Sequence, residues 1–169
     1  MKRLLAIILI ASFFIFTLSS CAAISALILF DSIAYEDKVV NSLGKYKNYD
    51  YYTEGAFQDF TDYAKYYYDS VDMTDNEYFS KIQSSDIKNL NKHLDDFEDW
   101  IDTYRKADDL REIAVNYDFD RSLIDNNDYL YIETEWFDPW NDGNLQFSSY
   151  DVYFFDSQSN TLYYFHNNI

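Results

Sequence analysis

Hydrophobic and polar positions alternate by different rules in different parts of this chain. Leu4 to Phe30 carries no charged side chain, a stretch longer than the roughly 20 residues a spanning helix needs. Further on, Ile87, Leu90, Leu94, Phe97, Ile101 and Tyr104 recur by threes and fours. Lys88, Asn91, Asp95, Asp96, Glu98, Asp99 and Asp102 take the other faces, so the spacing predicts an amphipathic helix with one narrow apolar seam. Phe57, Phe60, Ala64, Tyr67 or Tyr68, and Val71 follow similar intervals and predict an earlier helix over Glu54 to Ser70. Thr74-Asp75-Asn76-Glu77 has the form of a capping box and predicts a short helix through Ile82. Ser84 or Ser85 followed by Asp86 predicts the cap of the next one. A short helix around Ile33 to Leu43 would put Val39, Val40 and Leu43 on one side. Leu110 to Val115 reads equally as a helix end or a first strand.

Beyond that point the period becomes two. Tyr129 to Glu135, Ser149 to Phe155 and Thr161 to His166 are rich in strand formers. Asp156 to Asn160 reads as a hairpin loop between the last two, and Pro139 and Gly143 fall in the loop before Tyr150. Helices first and strands afterwards predicts an α+β domain, with N-terminal helices packed on one face of a C-terminal three- or four-stranded antiparallel meander.

Composition changes this picture in two ways. The 169 residues hold 30 acidic against 13 basic side chains, a net charge of −17, which excludes a nucleic-acid binder of the ordinary electrostatic kind. Aromatics make up 21%, 18 of them Tyr, so the core must be built largely of rings and the acidic part is no disordered tail. The single cysteine excludes an intramolecular disulfide and every Cys-based zinc site.

That cysteine stands in a telling place. Lys2 and Arg3 form a short basic start, Leu4 to Thr17 an apolar run of signal-peptide length, and Leu18-Ser19-Ser20-Cys21 follows. This resembles the lipobox of bacterial lipoproteins, in which an aliphatic and two small residues precede a cysteine that is lipidated and becomes the mature N-terminus. The resemblance implies a diacylglyceryl thioether on Cys21. The apolar run continues past it from Ala22 to Phe30, so an uncleaved signal anchor is the competing reading. The expected organisation is a signal peptide over 1–20 (or a signal-anchor helix over 4–30), a membrane-proximal tether over 21–53, and one acidic α+β domain over 54–169. Both readings leave Lys2 and Arg3 on the cytoplasmic side and the acidic bulk outside. From Asp31 onward the charge is −19, since two of the basic residues lie before it.

Candidate chemistry is thin. Asp118-Phe119-Asp120-Arg121-Ser122 begins like an EF-hand loop, but Leu123 stands where glycine is needed and Tyr129 where the bidentate glutamate belongs. The loop from Asp138 to Ser149 fails similarly, and Asp125-Asn126-Asn127-Asp128 reads as turn chemistry. No metal or cofactor is therefore expected. Glu133 and Glu135 share one face of a predicted strand near Tyr131, Trp136 and Trp140, the one local group with the parts of a glycan hydrolase. His93 beside the helical seam and His166 near the last strand's end belong to no catalytic motif. Consecutive rings such as Tyr66-Tyr67-Tyr68 cannot all face one core, so some rings are expected on the surface. Tyr131, Trp136, Trp140, Tyr66 and Tyr67 are the candidate binding aromatics. The function expected is a membrane-anchored, extracytoplasmic binding module for a cationic protein or an envelope glycan, with acid-based glycan hydrolysis as the alternative.

Overall fold

The computed structural model describes residues 38–56, 59–140 and 143–168. The chain divides into two units, Met1–Ser42 and Leu43–Ile169. In the first, residues 38–42 are helical; residues 33–37 of the helix expected over Ile33 to Leu43 lie outside the described residues, as do Cys21 and the apolar run, and Leu43 forms a turn.

The second unit is mostly sheet. Its strands are β1 (Asn48–Ala56), β2 (Asp59–Tyr67), β3 (Ser80–Lys81), β4 (Tyr129–Phe137), β5 (Gln146–Asp156) and β6 (Thr161–Asn168). They form one six-stranded sheet in the order β1-β2-β6-β5-β4-β3, with every neighbouring pair antiparallel. Two helices, α1 (Ser84–Arg105) and α2 (Glu112–Asn116), and a 3-10 turn over Arg121–Leu123 complete it.

This overturns the expected arrangement of N-terminal helices on a three- or four-stranded meander. The stretch read as a helix over Glu54 to Ser70 is part of the β1–β2 hairpin, and β1 begins at Asn48, within the span read as a tether. Burial explains the misreading. On β2, Tyr63 is buried toward α1, while Asp62, Ala64 and Tyr66 are buried on the opposite face. A strand covered on both sides loses its apolar/polar alternation, and its rings then match a helical period by coincidence. Tyr, Phe and Thr favour extended backbone in any case. Gly55 also breaks the helical reading, because it sits at φ +129° and a Cβ there would meet the Asp59 carbonyl at 2.2 Å.

The helix expected from Thr74 is absent too. Asp75 adopts φ 56°, and side chains take the backbone donors instead: Asp72 accepts from Thr74 N–H, and Asn76 from Tyr78 and Phe79 N–H. These local bonds compete with helix formation. Helix α1 starts one residue earlier than the serine cap predicted, with Asp86 accepting from the Gln83 N–H at 2.8 Å.

The core lies between α1 and one face of the sheet. Leu90, Leu94, Phe97 and Ile101 of α1 pack with Ile113, Ala114 and Phe119 over Tyr63, Leu130, Tyr150, Val152, Phe154 and Phe165. Phe97 meets the rings of Phe165 and Tyr117 at 5.4 and 5.7 Å. Each such side chain contributes about 1.5–3 kcal/mol by leaving water. Arg121 fastens the 3-10 turn to α1 through Glu98 and Asp95.

Candidate functional site

Tyr49 and Tyr51 are exposed on β1, and the other large exposed rings follow one another where β4 leads into β5. Trp136 and Phe137 end β4, Trp140 follows in the loop, and Leu145 precedes β5; all four are exposed, Trp140 at 76%. Asp138 organises this loop by accepting from the N–H groups of Trp140 and Gly143.

A β-bulge builds the inner wall of the cluster. Glu135 pairs with Ser149 but Trp136 pairs with Phe147, so Ser148 is the extra residue on β5. The bulge brings Phe147 onto the α1 side together with Tyr150, and both rings meet the imidazole of His93, at 4.6 and 5.1 Å. Trp136 then lies 4.7 Å from Phe147 between ring centroids. The ammonium of Lys92, from α1, sits 4.3 Å from the Trp136 centroid and 4.8 Å from that of Phe147.

Beside this ring pair lies a cleft of about 380 Å³ lined by Lys92, Asp96, Asp99, Leu145, Gln146 and Phe147. Asp96 is held there by the Tyr150 hydroxyl at 3.0 Å and the Asn167 amide at 3.3 Å. Asn167 in turn accepts from Thr61, so the carboxylate is fixed by a polar chain that runs under the helix. His93 supports the same end. Its Nδ1–H donates to the Asn89 carbonyl and its Nε2 accepts from Thr134, both at 2.8 Å, and burial holds its imidazole below the usual 6.5. It is a structural histidine.

The opposite face of the sheet carries a polar row. Thr53, Asp62, His166, Asp151 and Glu133 stand side by side across β1, β2, β6, β5 and β4. Asp151 accepts from Tyr164 at 2.8 Å and from His166 Nδ1 at 2.9 Å. Asp62 is 4% exposed and His166 9%, and Asp62 Oδ1 and His166 Nε2 have no hydrogen-bond partner. Burial raises the Asp62 carboxyl above its usual value. A row of tyrosines, Tyr51, Tyr164, Tyr153 and Tyr131, runs beside it.

The structure therefore scatters the sequence candidates. Trp136 and Trp140 join the β4–β5 cluster. Tyr131 and Tyr66 lie on the far face, Tyr66 buried and stacked on Tyr49, and Tyr67 donates to Asp50. Glu133 and Glu135 do point to one side of β4, and both are exposed. Glu133 accepts from Tyr131; burial and that neighbouring carboxylate push the Tyr131 phenol up to about 12. Neither glutamate lines the β4–β5 cleft or the other described cavity, which is bounded by α1 residues from Ser84 to Asp95. Asp118 takes Tyr63 and Lys65, and Asp120 caps the 3-10 turn, so the EF-hand-like run is spent on structure. Among the described residues no group of three or more acidic, His or Cys side chains could hold a metal, and no helix is long and apolar enough to cross a membrane.

Lys92, Phe147, Phe137 and Leu145 escaped the sequence reading. Nothing in the sequence around Lys92 marks it as a ring contact, and only the bulge brings Phe147 beneath it.

No family model, curated protein or solved structure matches this chain.

Proposed function

We propose that this chain is a membrane-anchored, extracytoplasmic binding module whose β4–β5 end receives a cationic segment of a partner protein. The observation that carries the reading is the run of exposed apolar side chains at the end of β4 and in the loop to β5, Trp136, Phe137, Trp140 and Leu145, with Trp136 paired to Phe147, on a domain with a large excess of carboxylates. Trp rings anchor interfaces and attract ammonium and guanidinium groups. The negative field of the domain draws such groups in and disfavours anionic partners. Anchoring rests on the N-terminal sequence: a lipid on Cys21, or a helix through residues 4–30. Hydrolysis by Glu133 and Glu135 gains nothing from their setting, because an exposed strand face offers no cleft to hold a sugar between two acids.

The test is binding of a decalysine peptide to the full chain in neutral detergent, followed by Trp fluorescence and repeated with an uncharged N-acetylglucosamine oligomer. Peptide binding that weakens with salt and falls about five- to tenfold in Trp140→Ala and Trp136→Ala is expected. Oligosaccharide binding in its place would assign the rings to a glycan. Binding of neither ligand, or peptide binding indifferent to both Trp substitutions, would remove the reading. For the anchor, incorporation of labelled fatty acid into the wild type but not into Cys21→Ala is expected; an unlabelled wild type leaves the signal-anchor helix.

A further inference from the structure

We infer that the Trp136–Phe147 ring pair is a seat for an ammonium group, that Lys92 occupies it as an internal ligand, and that a lysine of the partner displaces Lys92 when it binds. The inference rests on the proposed reading of this end as a cation-binding surface and names how that surface is regulated.

The geometry is specific. Lys92 Nζ is within 5 Å of two ring centroids at once, and the rings are tilted 33° to each other, open toward α1. Asp95 and Asp96 are close to Lys92 along the helix, yet among the described residues Lys92 is in no ion pair, and its ammonium lies over the two rings. Asp95 instead takes Arg121, and Asp96 takes Tyr150 and Asn167. Among the described basic residues, Lys47, Lys65, Arg105, Arg111 and Arg121 meet a carboxylate while Lys38, Lys45, Lys81, Lys88 and Lys106 do not; what sets Lys92 apart is an ammonium lying over two rings at once.

The seat is also built to exchange its occupant. Lys92 is exposed and its flexible stem can swing off the rings at little cost. The cleft beside it, with Asp96, Asp99 and Gln146 in its lining, supplies carboxylates for an incoming chain. A primary ammonium fits better than a guanidinium, since the group already seated there is one. Lys92 thus acts as a built-in competitor that sets the threshold affinity of the site.

The experiment compares decalysine binding to the full chain, to Lys92→Met and to Lys88→Met. The last makes the same charge change one turn away at an exposed position of α1. Removing the competitor should tighten binding by about two- to fivefold in Lys92→Met, beyond any change in Lys88→Met and still visible at high salt. In the wild type the Lys92 side-chain methylene NMR signals should lie upfield, inside the ring currents, and return to ordinary positions as peptide is added. If the wild type binds peptide but Lys92→Met is no tighter than Lys88→Met, or the Lys92 signals stay upfield in the complex, the internal-ligand inference is overturned and the binding reading stands. If neither the wild type nor Lys92→Met binds, both fall together.

Discussion

Asp62 on β2 and His166 on β6 are cross-strand partners, and each keeps one buried polar atom, Oδ1 and Nε2, without a hydrogen bond. Burial raises the Asp62 carboxyl above its usual 3.8. The folded state therefore holds this proton more tightly than the unfolded chain does. The resulting stability is fully present below the usual carboxyl pKa and is lost as pH rises through the raised one. Asp62→Asn should stabilise the protein at neutral pH by about 1 kcal/mol, with the gain shrinking as the pH approaches 4. Thermal unfolding of both forms at pH 4 and pH 7 measures it; an equal difference at the two values would sink the argument.

His93 should act in the opposite sense. Its imidazole is held below 6.5 by burial, so its contribution is present above pH 6.5 and disappears as pH falls through the lowered value. Thr134→Val leaves Nε2 unpaired beneath α1 and should cost about 1–2 kcal/mol, measured by urea unfolding at pH 7. An unaffected unfolding midpoint would show that the Thr134 hydrogen bond contributes nothing to holding α1 on the sheet.

Gly55 leaves no room for a side chain. Its φ is +129°, and the Asp59 carbonyl lies 2.2 Å from where a methyl carbon would stand, so Gly55→Ala must shift the end of the β1–β2 hairpin. A loss of about 2 kcal/mol or more is expected, with faster amide exchange concentrated in β1. Uniform exchange across the sheet would argue against a local cause.

How far these features can be read from residues alone depends on how many faces of an element are covered. Helix α1 shows one seam to the core and carboxylates to water, so its period is plain. Strands β4 to β6 were marked by strand formers and by the turn chemistry of Asp156 to Asn160. The β1–β2 hairpin was not readable, because β2 buries side chains on both faces and its tyrosines fit either period. Asp75 in a left-handed conformation and the Asn76 side chain accepting from Tyr78 and Phe79 N–H undo the capping box. At the candidate site, Trp136 and Trp140 were visible as rings too large to ignore. Their partner Lys92 and the bulge at Ser148 were not, since a bulge depends on pairing between strands. The Asp62–His166 contact joins two strands that are far apart in the chain and adjacent in the sheet.

Arg121 offers a sharper probe of the helix–turn junction. Its guanidinium gives Nε and Nη2 to the two oxygens of Glu98, at 3.1 and 2.8 Å, and Nη1 to Asp95 at 2.7 Å. Tyr117 donates to the same Glu98. A lysine cannot reproduce this fork, so Arg121→Lys should lose about 1 kcal/mol despite keeping the charge. Chemical denaturation of Arg121→Lys beside Tyr117→Phe measures it; stability equal to wild type in Arg121→Lys would reduce the contact to simple charge attraction.

The position of β6 in the sheet sets the timetable of folding. It lies between β2 and β5, so the β1–β2 hairpin and the β4–β5 pair have no backbone hydrogen bonding between them until residues 161–168 are available. A chain leaving the ribosome, or threading outward through a secretion channel, can form α1 and local hairpins early, but the sheet can close only afterwards. Delayed closure of this kind keeps a polypeptide loose enough for transport and leaves strand edges open meanwhile. For a protein proposed to work outside the membrane, placing the decisive strand this late lets passage come first and the finished sheet second.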